Sequence, residues 1–137
     1  MEKRKIVLMY TDDTQSLHSL NEMSINYILG SDNREVEVDH SYSGEEMIKK
    51  VRENPSRYDG LISDFEMGEI SGLEALAQLR EEFPNIKSFI VTGNPSKAQE
   101  SRDRGFDALD KPYTPGQLKE QLAKTFPEFY QPVTETA

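Results

Sequence analysis

Asp12, Asp13, Asp64, Thr92 and Lys111 are the residues of this 137-residue chain whose types and positions point to chemistry. Each stands at or just after the end of a short apolar run: Ile6 to Tyr10, Leu61 to Ser63, Ser88 to Val91, and Phe106 to Asp110. A carboxylate at the end of a buried strand is costly unless it is paired, metal-bound or solvated. If the run ends converge, three carboxylates share one pocket. Two unit charges about 4 Å apart interact by roughly 4 kcal/mol at an effective dielectric near 20, so positive charge must sit among them. All-oxygen ligands suit a hard divalent ion, and with few protein ligands plus water Mg²⁺ is the natural choice. Lys111 brings a second, fixed cation. The ion, Lys111, and the Thr92 hydroxyl or neighbouring backbone amides can each hold one phosphoryl oxygen, the clamp that phosphoryl transfer requires. Cysteine and histidine nucleophiles are absent from the run ends, which leaves a carboxylate as the attacking group. Asp64 is the best placed.

Composition narrows the setting. Sixteen Lys and Arg against 25 Asp and Glu give a net charge of −9, a balance that repels nucleic-acid backbones and anionic membrane surfaces. There is no cysteine, which removes disulfides, thiolate zinc sites and thiol nucleophiles together. The basic start, Met1 to Lys5, precedes an apolar run of only Ile6 to Tyr10, too short for a signal peptide or a membrane span. The expectation is a soluble cytoplasmic protein with one domain over 1–125 and a tail over 126–137.

The elements that must position these residues alternate. Ile6 to Tyr10 has the continuous apolar pattern of a strand covered on both faces. Leu17, Leu20, Met23, Tyr27 and Ile28 then recur at helical spacing up to Gly30, and Ser31-Asp32-Asn33 reads as a turn. Val36 and Val38 alternate with acids, as in a half-exposed edge strand. Ser43 and Glu46, and later Ser71 and Glu74, have capping-box spacing ahead of apolar helical stripes. Leu61 to Asp64 and Ser88 to Thr92 are the third and fourth strands. Asn94-Pro95 starts a helix whose only apolar residue is Ala98, so it buries little. Phe106 to Asp110 is a short last strand, and Thr114-Pro115 opens a final helix with Leu118, Leu122 and Phe126 on one stripe. Five strands alternating with helices predict an α/β fold, a doubly wound five-stranded parallel sheet. In such sheets ligands sit beyond the carboxyl ends of the strands.

These fragments, in this order, resemble the response-regulator receiver domain of two-component signalling over roughly Lys5 to Ala123. The residues that carry the resemblance are Asp12-Asp13, Asp64 with Met67 and Gly72, Thr92-Gly93, and Lys111-Pro112-Tyr113. The resemblance implies a flavodoxin-like (βα)5 fold with strand order 2-1-3-4-5. It implies that Asp64 accepts a phosphoryl group from a phosphohistidine, on a histidine kinase or a phosphotransfer protein. It further implies that Asp12, Asp13, Asp64 and the Glu66 main-chain carbonyl hold Mg²⁺, that Thr92 contacts the phosphoryl group, and that Lys111 pairs with it. The Lys111–Pro112 bond is implied to be cis. On this reading the chain is a stand-alone signalling domain rather than an enzyme. It signals through a separate, unidentified protein partner, either as a monomer or as a phosphorylation-dependent dimer.

Three departures from the family pattern stand out. Gly68 takes the place of the usual proline after the methionine, and Ala108 that of the usual switch aromatic three residues before the lysine. Phe106 shares the parity of Ala108 in an extended strand and is a substitute to consider. The segment between Thr92 and Lys111 is also shorter than is typical. Glu66 is expected to place an extra carboxylate beside the phosphoryl group and to alter its lifetime.

Other readings exist for each residue. An Asp-Asp pair after a strand also serves as a helix cap, and a lone lysine is often a solvated surface group. His18 and His40 are far apart in sequence and away from the strand ends, and are given no functional role. The aromatics Phe126, Phe129 and Tyr130 are expected to pack back on the domain. A pseudo-receiver that is never phosphorylated keeps the same fold. An Asp-nucleophile phosphatase of the haloacid-dehalogenase kind needs an Asp-x-Asp after the first strand. FMN binding needs a phosphate loop where the two acids stand.

Overall fold

The structure, a computed structural model, describes residues 5–30 and 34–130, with the side chain of Tyr130 excepted. The turn expected at Ser31-Asp32-Asn33 lies outside the described residues. The elements in order are β1 (Lys5–Thr11), α1 (Gln15–Gly30), β2 (Glu35–Ser41), α2 (Gly44–Glu53), β3 (Gly60–Asp64), α3 (Gly72–Glu82), β4 (Lys87–Thr92), α4 (Pro95–Asp103), β5 (Asp107–Asp110) and α5 (Pro115–Thr125). Single 3₁₀ turns cover Pro55–Arg57 and Pro127–Tyr130. The five strands form one parallel sheet in the order β2-β1-β3-β4-β5, as the sequence pattern and the resemblance both predict.

Alternation along the inner strands divides the core into two layers. Met9, Leu61 and Ile90 face α2, α3 and α4 and pack with Met47, Val51, Leu73, Leu76 and Ala98. Leu8, Tyr10, Ile62, Phe89 and Val91 face α1 and α5 and pack with Ile25, Leu29, Leu118 and Leu122. Asn94 and Thr114 cap α4 and α5 through their side chains, each with proline in the first turn, and Thr114 with Gln117 forms a complete capping box. Ser43 and Ser71 accept from the amides of Glu46 and Glu74 as their spacing predicts. Glu46 turns back to the amide of Tyr42 instead of that of Ser43. No helix among the described residues is long and apolar enough to cross a membrane.

Helix α1 presents a different face from the one its apolar spacing predicts. Leu20, Met23 and Tyr27 are 59%, 67% and 77% exposed, while His18, Asn21, Ile25, Ile28 and Leu29 are buried. Periodicity counted only apolar residues. The first two turns of α1 lie against polar partners at the strand ends, so His18 and Asn21 continue the buried stripe that Ile25 and Leu29 begin.

Two aromatics past the last helix belong to the core. Phe126 and Phe129 are fully buried, with rings stacked at a centroid distance of 4.8 Å. Phe126 also lies so close to Gly60 in β3 that a Cβ there would stand 2.3 Å from its ring. Replacing Phe126 by Ala is expected to cost about 3–5 kcal/mol of stability, measured by urea denaturation. A loss below 1 kcal/mol would show that this ring does not hold the end of the chain against the sheet.

Candidate functional site

The register of the sheet brings the chemical residues together. Thr11 is level with Ser41 and Ser63 on the flanking strands, Asp64 with Val91, and Thr92 with Asp110. One oxygen from each of Asp12, Asp13 and Asp64 lies within 4.8 Å of the others. Lys111 enters from the turn after β5, its Nζ 2.7 Å from Asp64 Oδ1 and 3.9 Å from Asp12 Oδ2. Its own amide donates to the carbonyl of Thr92, and its bond to Pro112 is cis.

Asp12 is 1% exposed. Its Oδ1 accepts from the Thr14 amide and its Oδ2 from the Tyr10 hydroxyl, each at 2.9 Å. The Tyr10 hydroxyl also accepts from Asn21, whose amide oxygen receives the Tyr113 hydroxyl. Burial, chiefly, and then the Asp12 charge push the Tyr10 phenol far above its usual range, and the Tyr113 phenol is raised for the same two reasons. Both therefore stay protonated and keep donating. Asp13 is exposed and stands at the open side of the pocket.

Asp64 is buried at the end of β3. Burial raises its carboxyl from the usual 3.8 to about 6; Lys111 opposes the rise, and the charges of Asp12 and Glu66 add to it. The loop beyond it is held at three points. Phe65 and Met67 are buried, the Phe65 amide donates to Val91, and the Gly72 amide returns to the Phe65 carbonyl at 2.8 Å. A Cβ on Gly72 would stand 2.0 Å from the Asp64 carbonyl oxygen, so this closure requires glycine. Gly68 is exposed, with no atom within 4 Å of where a Cβ would be; no packing contact requires glycine there.

Thr92 is fully buried as a residue. Its hydroxyl accepts from the Asn94 amide at 3.1 Å and points to the exposed Glu66 carboxylate at 3.4 Å, a long contact. Phe106 does not stand in for an aromatic at 108. It lies one residue before the Asp107–Phe89 pair, at the far end of β5 from the Thr92–Asp110 pair, and its ring is buried under the Arg80 guanidinium at 3.9 Å. Shared parity does not bring it to Thr92, because a strand advances about 3.3 Å per residue.

The structure thus brings Asp12, Asp13, Asp64, Thr92, Lys111 and Glu66 to one crevice. A family model described as the response regulator receiver domain matches residues 10–123. The chain belongs to that family. Among similar proteins, the two-component system protein A of Emericella nidulans is 32% identical over 92 residues, 65% of this chain; the match spans about 14% of that relative's length. The crystal structure of response regulator protein TrrA from Thermotoga maritima in complex with Mg²⁺–BeF superposes with a TM-score of 0.71 at 26% identity, covering 87% of this chain and 97% of that one. The CheX–CheY–BeF3–Mg²⁺ complex from Borrelia burgdorferi shares the fold, with a TM-score of 0.69 at 16% identity over 87% of both chains.

Sequence reasoning missed the residues that support the acids. Tyr10 shares strand parity with Asp12, a signal that was available. Tyr113 was marked only as part of the family pattern, and Asn21 and His18 carried no signal, since they reach Tyr10 and Asp12 only through packing. His18 and His40, separated in sequence, are in contact here, Nδ1 to Nδ1 at 2.7 Å. The strand pairing that sets Tyr10 beside His40 brings the second histidine to the first.

The raised Asp64 carboxyl has a stability consequence with a definite sign. Between about pH 4 and pH 6 the folded receiver holds a proton that the unfolded chain has released, so stability falls as pH rises through that window. Asp64→Asn is therefore expected to stabilise the metal-free protein above pH 6 by on the order of 1–2 kcal/mol, allowing for screening at the open side, and to be neutral near pH 4. Urea denaturation in EDTA at both pH values reads this. A destabilised variant at pH 7.5 would mean that the Lys111 contact outweighs the burial and crowding of Asp64.

Proposed function

We propose that the chain is a phosphoacceptor receiver in which Asp64 takes a phosphoryl group from a phosphohistidine. The observation that carries this reading is the Lys111 ammonium 2.7 Å from one oxygen of a buried Asp64 whose neighbours are two further carboxylates. The donor set fits a hard divalent ion: three carboxylate oxygens within 4.8 Å of one another and an open side at Asp13. Asp12, Asp13, Asp64 and the Glu66 main-chain carbonyl would hold Mg²⁺. Bound there, it supplies charge compensation for the carboxylates and for the transferred oxygens.

The chain's own residues supply the rest. A carboxylate oxygen of Asp64 attacks phosphorus in line with the imidazole nitrogen. The phosphorus–nitrogen bond breaks with its electron pair going to that nitrogen. Lys111 pairs with one phosphoryl oxygen, and the Thr92 hydroxyl turns from Glu66 to another. Hydrolysis reverses the gain, so the domain catalyses its own phosphorylation and dephosphorylation and acts as a signalling module rather than an enzyme on other substrates. Leu20, Met23 and Tyr27 form an exposed apolar stripe on α1. Beside it lies an apolar cavity of about 510 Å³ with Pro112, Tyr113, Leu118 and the site residue Lys111 in its wall. This face suits the protein that carries the phosphohistidine.

Intact mass tests the acceptor. Incubation with phosphoramidate and Mg²⁺ is expected to add one phosphoryl group to the wild type and none to Asp64→Asn. A phosphorylated histidine phosphotransfer protein is expected to give the same adduct, more slowly in Met23→Glu, which should react normally with phosphoramidate. No adduct on the wild type would favour the pseudo-receiver, and an adduct on Asp64→Asn would move the acceptor elsewhere. The position of Glu66 over the Thr92 hydroxyl predicts a several-fold change in the decay of the adduct in Glu66→Asn. Identical decay would remove Glu66 from the chemistry.

A further inference from the structure

A polar chain runs from the surface of α1 to the main chain of Asp12 on the side away from Lys111. Glu22 Oε1 is 2.7 Å from His40 Nε2, His40 Nδ1 is 2.7 Å from His18 Nδ1, and His18 Nε2 is 2.7 Å from the carbonyl oxygen of Asp12. His18 is 3% exposed. Its ring is covered by Tyr42 at a centroid distance of 4.2 Å and met edge-on by Tyr10 at 5.0 Å. The side chains of His40 and Glu22 are 24% and 39% exposed, so the chain leads from the interior to solvent.

The acceptor assigns the hydrogen. A carbonyl oxygen only accepts, so His18 Nε2 carries a hydrogen. His40 Nδ1 meets His18 Nδ1 and His40 Nε2 meets Glu22, so the second ring is held at both its nitrogens and in turn fixes the orientation in which His18 Nε2 donates to Asp12.

Asp12 is thereby restrained from every side. Its amide donates to the Ser41 carbonyl at 3.2 Å, its carboxylate accepts from Thr14 and Tyr10, and its carbonyl accepts from His18. We propose that His18 is a positioning residue for the Mg²⁺ ligand Asp12, with His40 and Glu22 fixing its orientation. This rests on the reading of Asp12 as a ligand. The ring touches no ligand atom; it fixes the turn between β1 and α1 from which the Asp12 carboxylate projects. Groups that orient a metal ligand in this way typically change affinity by about 10–100-fold when removed.

Calorimetric titration of Mg²⁺ into the wild type, His18→Phe, His18→Gln and His40→Phe tests this. His18→Phe is expected to weaken Mg²⁺ binding about tenfold. His18→Gln keeps a side-chain N–H at a similar reach and is expected to return to within about threefold of the wild type. His40→Phe is expected to fall between them. In the metal-free wild type, nitrogen-15 spectra should show a slowly exchanging ring proton on His18 Nε2 that His40→Phe makes exchange faster. A folded His18→Phe with wild-type affinity, or His18→Gln as weak as His18→Phe, would overturn the proposal. Should His18→Phe fail to fold, His40→Phe decides: unchanged affinity and an unchanged ring proton overturn the proposal. A wild type that binds no Mg²⁺ would instead remove Asp12 as a ligand, and this inference with it.

Discussion

Crowding of like charge at the carboxyl end of the sheet is the constraint on which the rest of the structure depends. Asp12, Asp13 and Asp64 bring oxygens within 4.8 Å of one another, two of the three residues being buried. At Asp64 burial disfavours the charged form, and the charges of Asp12 and Glu66 add to that. Lys111 answers part of it through a direct contact with Asp64. The strand order supplies the geometry: the chain leaves β1 for β2 on one side and returns to β3 on the other. A crevice therefore opens between β1 and β3, where the two acidic ends face each other.

Supporting that crowding alters the surrounding architecture. The hydrogen-bonded set of Tyr10, Asn21 and Tyr113 ties α1 and the turn before α5 to the Asp12 carboxylate, and His18 ties α1 to its main chain. These polar groups occupy the inner face of the first turns of α1, so its apolar residues Leu20, Met23 and Tyr27 are turned to solvent. On the other side of the sheet, α4 buries only Ala98 and Ser101. It is fastened by guanidinium groups instead. Arg80 of α3 bonds the carbonyls of Arg104 and Gly105, and Arg102 bonds the carbonyl of Ala108 on the edge strand β5. Where the family pattern has an aromatic, this chain has a small residue beside a charged strap.

Several features were legible from residues alone because their causes are local. Apolar runs of strand length, helix caps such as Asn94-Pro95 and Thr114-Pro115, and the polar residue at each strand end follow from chain-local preferences. The alternation of elements then restricted the topology to a parallel sheet. Asp12, Asp13, Asp64, Thr92 and Lys111 could be selected together because a parallel sheet brings all its carboxyl ends to one edge.

Tertiary packing alone decided the rest. The orientation of α1 depended on which side chains found partners across space, and His18 and Asn21 found theirs at Asp12 and Tyr10. Phe106 followed its strand parity yet lay at the wrong end of β5, because position along the strand is set by pairing with β4. The contact between His18 and His40 joins α1 to β2, and no spacing rule links those positions. The physical reason is common to all three: spacing along a chain encodes which residues share a face of one element. Which groups meet between elements is fixed only when the elements pack.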